Sequence, residues 1–191
     1  MLVRNKELTL EKLIEGCIKK DFRSEELLYK TYFGYLSGVA YRYTKERNES
    51  VELINDSFVR IFKKLDSFAF NGPPDEKQKA FKGWIGRITA NVAIDRIRAK
   101  RAIIYLEDIT SETHTDIAVE SPDSLSYQDI LTLIGRLPDI QQLIFNMHEI
   151  EGFSHEEIAV KLNIPASTSR VYLTRAKTKL ATLYNRNVHA R

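Results

Sequence analysis

Residues 154–183, SHEEIAVKLNIPASTSRVYLTRAKTKLATL, constrain this chain more than any other stretch. Ser154 stands three residues before Glu157, the reciprocal arrangement in which hydroxyl and carboxylate satisfy backbone N–H groups that a helix start leaves unpaired. A helix is therefore predicted from about residue 155, with Ile158, Ala159 and Leu162 on one face. Asn163-Ile164-Pro165 interrupts it, because Pro165 disfavours helical geometry at Ile164. In the helix that follows, Leu173, Ala176, Leu180 and Leu183 make one narrow apolar stripe, and Ser167, Arg170, Thr174 and Lys177 lie away from it. Two helices linked so closely, the second with a small, polar and basic outer face, form a helix-turn-helix, a shape that places its second helix in a DNA major groove.

A basic outer face also serves solubility alone, so the distribution of charge matters. From Ile158 to the C-terminus there is no Asp or Glu, against Lys161, Arg170, Arg175, Lys177, Lys179, Arg186 and Arg191. Solvated helix faces mix signs, and so long a cationic field favours a polyanion as partner. The net charge of +3 over 191 residues hides this segregation. The length suits one large domain or two small ones. Cys17 is the only cysteine, which excludes an intramolecular disulfide and a cysteine-based zinc cluster; its neighbours Ile14 and Ile18 make it a small buried hydrophobe. No run reaches the roughly 18 apolar residues of a membrane span, and no signal-peptide core opens the chain, so a cytoplasmic protein is expected.

Taken in order, Thr9 caps a first helix over 10–20 with Leu10, Leu13, Ile14 and Cys17 on one face, and residues 21–24 break it. A second runs from about Glu25 to Lys45, where Gly34 and Gly38 are expected to admit a neighbouring helix. The third, from about Ser50 to Leu65, turns Val51, Ile54, Phe58, Ile61, Phe62 and Leu65 inward and Glu52, Asn55, Asp56, Arg60 and Lys63 outward. Nothing here alternates as a strand. A loop follows around Asn71-Gly72-Pro73-Pro74. Its phenylalanines either close over the core or stack on an unpaired base; core closure is favoured for Phe68 and neither for Phe70. Residues 80–101 form a fourth helix with Phe81, Trp84, Ile85, Ile88, Val92 and Ile97 inward, Trp84 packing rather than stacking. Its Lys82, Arg87, Arg96, Arg98, Lys100 and Arg101 exceed what the helix dipole favours at a C-terminus, and phosphate contact is the alternative.

Composition then reverses. From Ala102 to Gly135 there is no Lys or Arg, while Glu107, Asp108, Glu112, Asp116, Glu120, Asp123 and Asp129 are all acidic. The expected architecture is all-α: a helical domain over 1–102, a flexible acidic linker over 103–126, and a C-terminal helical domain over 127–191 that ends in the helix-turn-helix. In the last, one helix stops at Pro138 and a second, with Ile140, Leu143, Ile144 and Met147, ends at Gly152. The histidines, His114, His148, His155 and His189, have no metal-ligand spacing, and His155 reads as an exposed residue. No phosphate loop or serine elbow is present, so neither catalysis, cofactor nor metal is expected.

Two helical domains, an acidic linker and a terminal basic helix-turn-helix resemble the extracytoplasmic-function sigma factors of the sigma-70 family, over roughly residues 24–183. The helix ELINDSFVRIFKKLDSF is similar to the family segment that grips the coiled coil of the largest polymerase subunit, which implies core RNA polymerase contact at Glu52, Asn55, Asp56, Val59 and Lys63. FKGWIGRITANVAIDRIRAKR resembles the helix that captures the melted upstream promoter element and implies single-strand contact at Asn91, Asp95, Arg96 and Arg98, with Phe70 and Asn71 on the preceding loop. LPDIQQLIFNMHEIEGFSHEEIAVKLNIPASTSRVYLTRAKTKL is similar to the C-terminal family domain. There the resemblance implies duplex promoter DNA contact at Ser167, Thr168, Arg170, Thr174 and Arg175, beside the outward Lys177. Departures are Asn55 where Gln is usual, Ser169 where Val is frequent and Pro165 where Ser commonly caps. The resemblance further implies an anti-sigma protein as partner. The competing readings are a stand-alone helix-turn-helix regulator with an N-terminal dimerisation or sensing domain, and a nucleic-acid enzyme, for which no catalytic set is found.

Overall fold

The apolar periods of 3 and 4 become helices throughout. The structure, a computed structural model, describes residues 9–44, 46–104 and 127–189, and among these every regular element is helical. Residues 105–126, most of the linker expected over 103–126, lie outside the described residues. The chain divides into two units, Met1–Arg96 and Ile97–Arg191, with the cut inside the fourth helix.

In the first unit, α1 (Leu10–Ile18) starts on Thr9, whose Oγ1 accepts from Lys12 N at 3.5 Å. The break behind α1 is shorter than residues 21–24, because Asp21 accepts from Ser24 N at 2.9 Å and so caps α2 (Phe22–Ala40) itself. Gly34 and Gly38 face open space, where a Cβ would meet nothing within 4 Å, so they do not serve close packing. The glycine that does is Gly16, where a Cβ would lie 2.7 Å from Ser24 Cβ at the α1–α2 corner. In α3 (Arg47–Lys64), Ile54, Phe58 and Ile61 are buried as expected, followed by Leu65 in a 3₁₀ turn. Val51 is 38% exposed and Leu53 is fully buried in its stead. The buried face also takes in Ser50 and Ser57, small polar residues that a search for apolar spacing passes over. Ser57 Oγ donates to Leu53 O at 2.6 Å, which makes its burial tolerable.

The Pro-rich loop leads through a 3₁₀ turn (Pro74–Glu76) into α4 (Lys77–Ile104), which continues three residues past the expected end at 101. Phe81 is fully buried, with Phe68 edge-on at 5.1 Å, Trp84 at 5.8 Å and Tyr32 at 5.1 Å between ring centroids. Phe68 therefore closes the core and Trp84 packs. Cys17 is buried, and desolvation pushes its thiol up to about 11, as befits a core residue.

The second unit contains α5 (Tyr127–Gly135), α6 (Asp139–Phe145) continued by a π turn (Asn146–Ile150), α7 (His155–Leu162) and α8 (Ala166–His189). Ile144, Met147, Phe153, Ile158 and Ala176 form its fully or almost fully buried centre. Gly152 takes a φ of +71°, which releases the chain from the π turn into the α7 start.

Candidate functional site

The expected polymerase residues of α3 occupy its outer side: Glu52, Asn55, Asp56, Val59 and Lys63 are all exposed. They do not stand alone. Tyr29 Oη donates to Asn55 Oδ1 at 3.0 Å, which anchors that amide to α2. The Asp56 carboxylate accepts a short hydrogen bond from Arg96 Nη2, and Arg96 Nη1 lies 3.9 Å from Glu52 Oε2. One turn on, Arg60 Nη1 donates to Asp95 Oδ2 at 2.8 Å. α3 thus offers Glu52, Asp56 and Arg60, and α4 offers Arg96 and Asp95, a reciprocal clasp that joins the α3 residues expected on polymerase to the α4 residues expected on the melted strand. The side chains of Asp56 and Arg96 keep 58% and 33% of their surface exposed, so the clasp is a rim feature that a competing charge can open.

Elsewhere on α4, Asn91 is half-buried and its Nδ2 donates to the Arg87 carbonyl at 2.8 Å, while its buried Oδ1 has no partner among the described residues. The amide is therefore turned to its own helix, and Arg98 stands exposed further along. On the loop, Asn71 is exposed. Phe70 is half-buried over Gly72, and a Cβ there would lie 2.5 Å from its Cζ.

In the second unit the capping box is present in both directions: Ser154 Oγ accepts from Glu157 N at 3.1 Å and Ser154 N donates to Glu157 Oε2 at 2.8 Å. The turn between α7 and α8 passes through Asn163 in the left-handed region, φ 53°, a conformation Asn tolerates better than most residues. Leu173 and Ala176 bury the inner stripe of α8, and Leu180 and Leu183 are half-buried. The outer face carries Ser167, Arg170, Thr174, Arg175 and Lys177, all exposed, with Thr168 half-buried. Thr174 Oγ1 donates back to the Arg170 carbonyl at 3.0 Å, and the Arg175 guanidinium lies 5.9 Å from the Tyr172 ring centre.

His155 departs from the exposed residue expected. It is half-buried, its Nδ1 lies 2.9 Å from Ser169 Oγ, and its ring stacks on His148 at 4.4 Å. Burial foremost, then the charges of His148 and Arg170, depress its pKa. Ser169 is fully buried, and this bond gives the polar residue a partner where Val would need none. The bond ties α7 to α8, and nothing in the sequence pairs the two residues, fourteen positions apart. Sequence reasoning also missed the acids that reach α8: Glu156 Oε1 accepts from Arg170 Nη2 at 2.6 Å, and Glu149 Oε1 lies 2.8 Å from Lys177 Nζ and 2.9 Å from His148 Nδ1. Among the described residues, no helix is long and apolar enough to cross a membrane.

A helical unit with a charged outer rim and a capped helix-turn-helix are two parts of one known arrangement. The family model of Sigma-70 region 2 matches residues 28–103, and that of Sigma-70 region 4 matches residues 127–180. The chain belongs to the sigma-70 family, in its extracytoplasmic-function branch. It is 27% identical to the ECF RNA polymerase sigma-E factor of Haemophilus influenzae, over 90% of this chain and 93% of that protein. It is 26% identical to the ECF RNA polymerase sigma factor SigW of Bacillus subtilis, over 91% and 96% respectively. Among solved structures, it is similar to the sigma factor RpoE of Bartonella quintana in complex with the anti-sigma factor NepR, with 22% identity, 87% of this chain and 98% of that one covered, and a TM-score of 0.50. That likeness speaks for the fold alone.

Proposed function

We propose that this chain binds core RNA polymerase and directs it to particular promoters, with Glu52, Asn55, Asp56, Val59 and Lys63 on the polymerase and α4 with its preceding loop on the melted upstream element. α8 then reads duplex DNA through Ser167, Thr168, Arg170, Thr174, Arg175 and Lys177. The observation that carries this reading is the joint match of regions 2 and 4 in one chain. A stand-alone regulator would use the first unit for dimerisation or sensing and leaves its match to region 2 unexplained. The exposed acids of α3 suit a basic or polar partner surface, and the exposed cations of α8 suit phosphate and base edges. Residues 103–126, rich in acids and free of Lys and Arg, would be repelled by DNA and suit a basic channel of the enzyme.

In this reading the polymerase performs the chemistry and the chain contributes recognition, working in the cytoplasm where core enzyme and promoter DNA meet. An anti-sigma protein that covers the polymerase and DNA surfaces is the expected negative regulator. The test is transcription by core polymerase from a candidate promoter with and without the chain: specific start sites should appear only with it. No stimulation, together with sequence-specific duplex binding by the isolated chain, would favour the regulator.

A further inference from the structure

Arg170 and Lys177 stand seven residues apart on the outer face of α8, about two helical turns. Each is held by a carboxylate from outside that helix: Glu156 Oε1 lies 2.6 Å from Arg170 Nη2, and Glu149 Oε1 lies 2.8 Å from Lys177 Nζ. Neither acid belongs to the reciprocal cap of α7. That cap rests on Ser154 and Glu157; Glu156 touches its own backbone N–H and also reaches Arg170 on α8, and Glu149 sits on the π turn with His148 Nδ1 on the same oxygen. Both carboxyls are held below their usual range, Glu149 mainly by Lys177, and Glu156 first by its own backbone N–H and then by Arg170, so both are anionic at neutral pH. From Ile158 on, the chain contains no acid at all. Two acids from the preceding segment are therefore set against two of the cations that would meet DNA.

We propose that Glu149 and Glu156 are specificity-setting positioning residues of the helix-turn-helix, which withhold Lys177 and Arg170 from indiscriminate phosphate contact and so make tight binding depend on base contacts. The proposal rests on the DNA-reading role given to α8 above. Non-specific binding is almost wholly a matter of cations meeting phosphates, and a cation already paired must first give up its carboxylate. Base reading is affected less. A guanidinium has five N–H donors and a guanine edge uses two, so Arg170 can keep Glu156 on one nitrogen and still present the others in a fixed direction.

The full chain is compared with Glu149→Gln, Glu156→Gln and the double variant, by anisotropy on a short random-sequence duplex over a salt series. Circular dichroism checks that helicity is kept. The double variant should bind random DNA on the order of tenfold more tightly at low salt, with a slope of log K against log salt steeper by about 1 to 2, since each phosphate contact adds about 0.9. In transcription by the holoenzyme, random competitor DNA should inhibit the double variant more strongly than the parent. Unchanged or weaker random-DNA binding with an unchanged slope overturns the proposal. Arg170→Ala with Lys177→Ala, placed in the double-Gln background, separates the two levels. If it lowers DNA binding while the Gln substitutions changed nothing, only the role of the glutamates falls. If it leaves DNA binding untouched, the reading of α8 falls and this proposal with it.

Discussion

Exchanging the charges of Asp56 and Arg96 separates what the clasp does for folding from what its members do for recognition. Asp56→Arg alone removes an exposed ion pair, which contributes about 0.5–1 kcal/mol at 58% and 33% side-chain exposure. It also sets a third cation between Arg96 and Arg60, and like charges about 4 Å apart in a water-like dielectric repel by about 1 kcal/mol. The expected loss is about 1.5–2 kcal/mol, or roughly 10 °C in the melting temperature of a unit of this size. The exchange Asp56→Arg with Arg96→Asp rebuilds the pair in reverse and should return stability to within about 0.5 kcal/mol of the parent. Urea denaturation followed by circular dichroism measures both. Core polymerase binding and promoter opening should nevertheless remain lost in the exchanged variant, because the acid has left the polymerase face and the base has left the strand-facing helix. If the exchange is as unstable as the single substitution, the clasp does not contribute to folding. If it is stable and transcribes normally, the two residues serve only each other, and the assignment of both surfaces is wrong.

Other consequences concern particular contacts. Lys77 Nζ lies 3.0 Å from Glu11 Oε1 and lowers that carboxyl to about 2, so the pair's stabilisation should be complete above the ordinary carboxylate pKa of 4.5 and vanish as pH falls through about 2. Glu11→Gln should cost about 0.5 kcal/mol at neutral pH, discounted for exposure, and nothing in strong acid, as urea titrations at both pH values would show. The depressed pKa of His155 has the same sign: its contribution is complete above the unfolded value of 6.5 and lost as pH falls through the lower folded value. The parent should therefore lose stability below pH 6.5 and His155→Asn should flatten that decline; a parent whose second unit is indifferent to pH there would contradict the stacked, half-buried ring. Phe81→Ala, which empties the centre of the aromatic cluster, should cost about 3–5 kcal/mol and leave the first unit largely unfolded by near-ultraviolet circular dichroism. Glu52→Lys with Asp56→Lys should abolish core binding while helicity is retained, and unchanged core affinity in a pull-down would count against the α3 surface.

Elements whose causes lie within a few residues were legible in the sequence. The α7 start follows from Ser154 and Glu157, the turn from Pro165, the buried side of α8 from Leu173 and Ala176, the packing of Trp84 from the inward apolar stripe of α4, and core closure by Phe68 from its place at the loop base. The misreadings occur where a helix's rotation against its neighbours matters. Val51 and Leu53 are both apolar and close in sequence, yet only the packing of α3 against α2 decides that Leu53 goes in. Gly16 rather than Gly34 or Gly38 marks a close approach, because the α1–α2 corner, not the helix middle, sets the Ser24 side chain against the glycine.

An all-helical chain, a capped helix-turn-helix and the segregation of acid from base can be read from the residues alone, since helical periodicity, caps and charge runs are local properties. It takes the packed helices to show that Asp56 meets Arg96 across forty residues, that His155 meets Ser169, and that Glu156 and Glu149 meet Arg170 and Lys177 of α8. Those pairings depend on how helices rotate and cross, which is set by the packing of whole faces and leaves no mark at a fixed spacing along the chain.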